Sequence, residues 1–216
     1  MTADVQKHHF KLIGGELSLD FVNTVGGWGN RSTMRGQRDY RDVVLRDKLN
    51  GYSALVAWGR HTGLITDKEA TRLLRLAEQQ PQAAAAALER AVRLREAVYR
   101  LFRSVVENWS PPTADVEKLN AELAIARSHE RLLHAKEGYS LAWNDRSDAL
   151  DYMLWPLAQS AAALLTSGDL SRIKQCGSDE CGWLFFDTSR NRSRQWCDMK
   201  DCGNLAKVRR FRQRQR

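Results

Sequence analysis

A chain of 216 residues with 43% hydrophobic side chains can bury a sizeable core, as one domain or as one domain with a small appendage. No apolar run reaches the roughly 18 residues a membrane span needs, and the opening M-T-A-D-V-Q-K-H-H-F lacks the apolar stretch of a secretory leader, so a cytoplasmic protein with no membrane partner is expected. The last 27 residues hold eight arginines and two lysines against Asp198 and Asp201, which accounts for the whole net charge of +8, and a neutral body with so cationic an end points to an anionic partner, nucleic acid first.

Residues 10–25, F-K-L-I-G-G-E-L-S-L-D-F-V-N-T-V, start extended, turn at Gly14-Gly15 and enter a short helix near Ser18. The segment from 26 to 40, G-G-W-G-N-R-S-T-M-R-G-Q-R-D-Y, is rich in glycine and arginine and reads as a mobile surface loop. It lacks the Gly-Lys-Ser/Thr ending of a phosphate-binding loop. Its Arg31, Arg35 and Arg38 could close over an anionic effector, although a solvated loop is the simpler reading.

Helices follow. Ser53 is placed to cap one that ends near Gly63. Thr66 and Glu69 form a capping-box pattern, after which Ala70, Leu73, Leu74 and Ala77 repeat at helical spacing. A long helix after Pro81 carries Leu88, Ala91, Val92, Val98, Leu101, Phe102 and Val105 on one face and stops before Pro111-Pro112. Another carries Val116, Leu119, Leu123 and Ala126. R-L-L-H-A-K-E-G-Y-S-L-A-W-N then reads as a hairpin turning at Glu137-Gly138, with Tyr139, Leu141 and Trp143 on one face. A last large helix spans about 148–166, with a kink or fresh start at Pro156. Residues 167–171 mark the expected boundary between a helical domain, 1–168, and a separate module, 169–216.

All four cysteines lie in that module, as Cys176-x4-Cys181 and Cys197-x4-Cys202. In a reducing compartment, clustered cysteines point to metal rather than disulfides, and the C-x-x-C of a redox site is absent. Two such knuckles bring four thiolates to the corners of a tetrahedron, which suits Zn2+. Glycines follow three of the cysteines, Gly177, Gly182 and Gly203, leaving room for backbone amides to turn toward sulfur. Four thiolates leave no open position for water, so the zinc is expected to be structural and not catalytic. It would supply the stability that a module of this size lacks.

Between the knuckles, Trp183, Leu184, Phe185 and Phe186 suggest a short strand and a small core. The loop D-T-S-R-N-R-S-R presents Arg190, Arg192 and Arg194 to phosphates. Past Cys202 the pattern turns helical. Leu205, Val208 and Phe211 form an apolar stripe expected to dock on the knuckles, while Lys207, Arg209, Arg210 and Arg212 are cationic. Four thiolates on one Zn2+ carry a net −2, which draws arginines even without nucleic acid.

C-G-S-D-E-C-G-W-L-F-F-D at 176–187, W-C-D-M-K-D-C-G-N-L-A-K at 196–207 and G-G-E-L-S-L-D-F-V-N-T at 14–24 resemble the CGNR zinc-finger family of bacterial proteins, in which a helical ABATE domain precedes the finger. The resemblance implies a stress-related transcription regulator that binds DNA, with Cys176, Cys181, Cys197 and Cys202 as metal ligands. One position departs from the family's Cys-Gly-Asn-Arg: Leu205 follows Cys202-Gly203-Asn204, which bears on binding strength or target choice rather than on the metal.

Asp20, Asn23 and Thr24, in the family-like N-terminal motif, are candidates to face a small-molecule effector, with helix capping as the competing role. The five histidines make no metal or catalytic spacing, and no nucleophile, zinc-hydrolase or dinucleotide motif occurs, so no enzyme is nominated. The expected fold is mainly α: a helical N-terminal domain with a small β-hairpin, serving as a sensor or for homodimerisation, and a small C-terminal four-cysteine zinc-finger module ending in a basic helix. The expected function is a DNA-binding regulator. The alternatives are a zinc-stabilised module that docks on an acidic protein and an RNA-binding protein using Trp183 or Trp196 to stack on bases.

Overall fold

The computed structural model describes residues 10–28, 45–143, 148–179 and 181–215. His8, His9, Arg31, Arg35 and Arg38 lie outside the described residues. The order is α1 (Leu17–Val22), β1 (Val25–Gly27), β2 (Leu45–Asp47), α2 (Tyr52–His61), α3 (Asp67–Gln79), α4 (Pro81–Glu107), α5 (Thr113–Ser128), β3 (Glu130–Ala135), β4 (Gly138–Trp143), α6 (Leu154–Ser167), β5 (Ile173–Gln175), β6 (Leu184–Phe186) and α7 (Asn204–Arg214). Among the described residues the strands pair only as three antiparallel ribbons, β1–β2, β3–β4 and β5–β6, so the fold is mainly α as expected. No helix among the described residues is long and apolar enough to cross a membrane.

Local chemistry explains several boundaries. Thr66 accepts from the Glu69 backbone while Glu69 reaches back to the Thr66 N–H, the reciprocal bonding the sequence predicts at the start of α3. Ser53 is not a cap: α2 begins at Tyr52 behind Gly51, which places Ser53 inside the first turn. Pro81 opens α4, where its missing N–H has no partner to lose. Asn108 ends α4 in the left-handed conformation. Pro156 sits in the first turn of α6, so the fresh start, and not a kink, is the outcome.

α4 is the central element, packed by α1, α2, α3, α5, α6, β5 and β6. Its sequence suggests one apolar face, yet the stretch from Leu94 to Ser104 is buried on nearly every side and includes Arg95, Arg100 and Arg103. These arginines are held by carboxylates. Arg95 pairs bidentately with Asp47 at 2.6 and 2.7 Å, Arg100 with Asp115 at 2.7 Å twice, and Arg103 with Glu107 at 3.1 Å. Near the start of the helix, Arg90 bridges Glu122 and Asp151.

One expectation changes. Gly26 and Gly27 belong to β1, and Trp28 is fully buried, stacked on Tyr99 with 3.9 Å between ring centroids, so this end of the predicted loop is core. The chain after Gly168 packs against the helical part. Cys176, Trp183, Leu184 and Phe185 belong to the same buried cluster as Trp28, Tyr99 and Leu19.

Candidate metal centre and its basic surroundings

β5 and β6 pair Ile173 with Phe186 and Gln175 with Leu184, which brings the residues flanking the first knuckle side by side. The Cys176 N–H donates to the Trp183 carbonyl at 2.8 Å and the Gly177 N–H to the Gln195 carbonyl at 2.9 Å, so the first knuckle is tied to the segment that enters the second. A π-helical turn, Met199–Gly203, closes the second knuckle, with Asp198 accepting from the Lys200 N–H at its start. It runs directly into α7.

The four sulfurs converge as a result of this folding. One ligand atom from each of Cys176, Cys181, Cys197 and Cys202 lies within 4.8 Å of the others. Cys197 Sγ is 3.6 Å from both Cys181 Sγ and Cys202 Sγ. A zinc tetrahedron with Zn–S bonds near 2.3 Å has edges of ~3.8 Å, so the spacing and the donor set both fit Zn2+. Cys176 and Cys197 are buried, while Cys181 and Cys202 are half-buried.

Backbone amides face the cluster, as the glycines suggested. The Cys197 N–H approaches Cys176 Sγ at 3.4 Å. Hydrogen bonds from Cys181, Cys197 and the Cys197 and Ser178 amides hold the Cys176 thiol below its ordinary range, favouring its thiolate. That negative sulfur pushes Cys181 and Cys197 upward, and burial followed by the Cys176 charge raises Cys202. A divalent cation at the centre removes this repulsion, which is what makes four adjacent thiolates compatible.

The centre is stitched into the helical part. The Trp28 N–H donates to the Cys181 carbonyl at 2.9 Å, Tyr99 Oη to the Gly182 carbonyl at 3.2 Å, and Trp183 Nε1 to the Val25 carbonyl at 3.1 Å. Gly182 has φ +62°, and a Cβ there would sit 2.9 Å from Trp28 Cβ, so this position demands glycine on two counts. From the other side, the Phe186 N–H donates to the Gly14 carbonyl at 2.7 Å, and Lys11 pairs with both Asp198 and Asp201.

Asp20, Asn23 and Thr24 are spent on protein partners. Asn23, 2% exposed, donates to the Leu184 carbonyl at 2.8 Å and accepts from its N–H at 3.1 Å. Thr24 donates to the Phe21 carbonyl and accepts from Arg95. Asp20 accepts from the Gly14 N–H at 2.7 Å. Burial pushes its carboxyl up to about 6, against the pull of the Gly14 and Ile13 amides.

The arginine loop divides in the same way. Arg194 is a brace: its guanidinium bonds to the carbonyls of Trp196, Ile13 and Cys197 and lies 4.3 Å from the Phe185 ring. Arg192 is exposed and pairs with Asp169 at 2.9 Å and Ser171 at 2.6 Å. Arg190 is exposed. Sequence reasoning missed the organiser of the loop, Asp187. It is fully buried and takes hydrogen bonds from Lys174, the Ser189 N–H and hydroxyl, and the Arg194 N–H. Burial alone would raise its carboxyl, but these donors hold it well below the usual carboxylate range. An Asp two residues before a Ser is the local signal of such a turn. A cleft of about 560 Å3 lies beside the loop, lined by Lys174, Arg192, Arg194 and Trp196; Lys174 and Arg194 are held by part-buried partners, while Arg192 pairs with Asp169 at the surface.

On α7, Lys207, Arg210, Arg212 and Arg214 are exposed, and Arg209 is half-buried with Asp179 at 3.4 Å. The apolar stripe does not dock. Leu205, Val208 and Phe211 are 44%, 46% and 61% exposed, and α7 contains no buried residue. The helix leaves the π-helical turn with Leu205 open to solvent, so an arginine in its place would displace no packed neighbour. Trp183 is only 7% exposed, with Lys48 over its ring, and is closed to base stacking. Trp196 is half-buried, its ring against Gly177 and Gly203.

Comparison with known families agrees with this construction. Residues 15–168 match ABATE, described as "Putative stress-induced transcription regulator", and residues 172–215 match zf-CGNR, the CGNR zinc finger. No curated protein matches the chain. Zinc is accordingly the metal of this finger, and the chain belongs to the ABATE family, with a CGNR zinc finger following the ABATE segment.

Proposed function

We propose that the protein is a cytoplasmic DNA-binding transcription regulator. Cys176, Cys181, Cys197 and Cys202 hold a structural Zn2+ that fixes the starting point of α7. The observation that carries the reading is the join between the two: the fourth cysteine of a four-sulfur cluster lies in the turn that becomes an 11-residue helix with five cations and no acidic residue. Arg190, Arg192, Lys207, Arg209, Arg210 and Arg212 supply phosphate contacts. Arg194 braces the finger instead. The helical segment carries the sensing or dimerising part, and no catalytic role is assigned.

Salt titration of duplex binding tests the reading. About five neutralised phosphates give a slope of log K against log[salt] of roughly −4 to −5. A slope near zero removes it. A second reading, docking on an acidic protein, is favoured by the uncovered Leu205, Val208 and Phe211, since a helix with an apolar stripe fits a groove. Such a module would bind duplexes weakly and without sequence preference.

A further inference from the structure

The hairpin β3–β4 carries large apolar side chains that nothing described covers. Leu132, Tyr139 and Leu141 are 64%, 72% and 64% exposed. They share one face, because Leu132 pairs with Leu141 and His134 with Tyr139. Among the described residues the base is anchored, by Gln159 donating to Glu130 at 3.1 Å and by the Trp143 ring against Tyr152 and Trp155. A lone two-stranded ribbon is marginal in water and gains from a further strand.

The two edges differ. β3 includes Glu130 and Arg131, whereas β4, G-Y-S-L-A-W, has no charge and no proline, none of the devices that keep an edge from pairing. The register places Ala135 opposite Gly138 across the two-residue loop Lys136-Glu137, and a hairpin loop of that length closes on a hydrogen-bonded pair. Alternation then turns the N–H and C=O groups of Tyr139, Leu141 and Trp143 away from β3. Among the described residues no third strand lies beside β4, and no turn or loop backbone bond reaches these groups.

We infer that β4 pairs antiparallel with β4 of a second copy, about a two-fold axis at Leu141, giving a continuous four-stranded sheet. The strand is self-complementary in this register. Leu141 faces the second copy's Leu141, Tyr139 faces the second copy's Trp143, and the apolar side chains stay on one face. The hairpin is electrically balanced, Glu130 and Glu137 against Arg131 and Lys136, while the charge excess lies in the last 27 residues. Two copies therefore meet here without like-charge repulsion, and an ionic partner finds nothing to recognise. The inference is independent of what α7 binds.

Sedimentation velocity on the full-length, zinc-loaded protein from about 1 to about 100 μM, the range of a small interface, tests this. The expected mass is that of two chains, and the amides of residues 139, 141 and 143 exchange more slowly as concentration rises. Leu141→Lys is expected to give a single-chain mass with unchanged zinc content and helical content. If that variant does not fold, Tyr139→Lys at the most exposed of these positions replaces it. A single-chain mass for the unmodified protein overturns the inference. So does a folded variant that keeps the two-chain mass, or a two-chain protein whose β4 amides exchange at the same rate at every concentration.

Discussion

The side-chain amide of Asn23 spans the backbone of Leu184, donating to its carbonyl at 2.8 Å and accepting from its N–H at 3.1 Å, across 161 residues of sequence. Both partners are buried, so the pair is a two-point clasp between α1's end and the finger strand β6. Asn23→Leu removes both partners of the Leu184 backbone at once. It is expected to destabilise the chain by about 2–4 kcal/mol, since each stranded buried group costs about 1–3. Urea unfolding of the zinc-loaded protein measures this. A loss under about 0.5 kcal/mol, the level of an ordinary surface change, would show that the clasp is idle.

The same stitching predicts what chelation does. Cys181 and Gly182 accept bonds from Trp28 and Tyr99, and Cys176 and Leu184 belong to the common core. Removing zinc is therefore expected to weaken the helices as well as the finger, in one transition. At zinc about a hundredfold above its dissociation constant the linkage is ~2.7 kcal/mol, and for a chain of this size that moves the thermal midpoint by roughly 5–10 °C. Far-ultraviolet circular dichroism with and without chelator reads the shift. An unmoved helical transition beside a molten finger would mean the parts are independent.

How much of this was legible depended on range. The Thr66–Glu69 box, the hairpin at residues 130–143 and the four-cysteine cluster are encoded within a few residues of themselves or by composition, and sequence alone places them, although the hairpin turns at Lys136-Glu137, one residue before the expected Glu137-Gly138. Asn23, Arg95 and Arg100 were not legible as fasteners. Periodicity assigns a charge to solvent by default, and nothing local names Asp47 or Asp115 as its partner. The α7 stripe shows the complementary limit: spacing identifies an apolar face but not whether anything covers it.

Asp20 gives a pH signature. Burial raises its carboxyl to about 6 from an ordinary value of 3.8, so the folded state binds this proton more tightly than the unfolded chain. The proton thus adds stability as pH falls from about 6 toward 4, and ionisation costs stability above that window. Asp187 is depressed, so its contribution is present above the unfolded carboxylate range and is lost only under stronger acid. Asp20→Asn keeps an oxygen for the Gly14 amide without the buried charge. It is expected to gain about 1 kcal/mol near pH 7.5, allowing for partial exposure, and to flatten the profile between pH 4 and 6. Urea midpoints at pH 4.5 and 7.5 provide the check, and equal slopes for both proteins would refute the assignment.

The uncovered stripe on α7 separates stability from recognition. Leu205, Val208 and Phe211 touch little of the knuckles, so replacing all three with serine is expected to change stability by no more than about 0.5 kcal/mol per site and to leave zinc content whole. Had the stripe docked, three large side chains would have been uncovered at about 1.5–3 kcal/mol each, and the finger would melt. Denaturation and metal analysis distinguish these outcomes. Binding assays on the same variant go further. Its five cations are unchanged, so duplex affinity should fall less than about tenfold if phosphates hold the helix. Loss of binding with the salt slope intact would instead mean that the apolar face is buried against the partner, which moves α7 from a phosphate clamp to a helix seated in a groove.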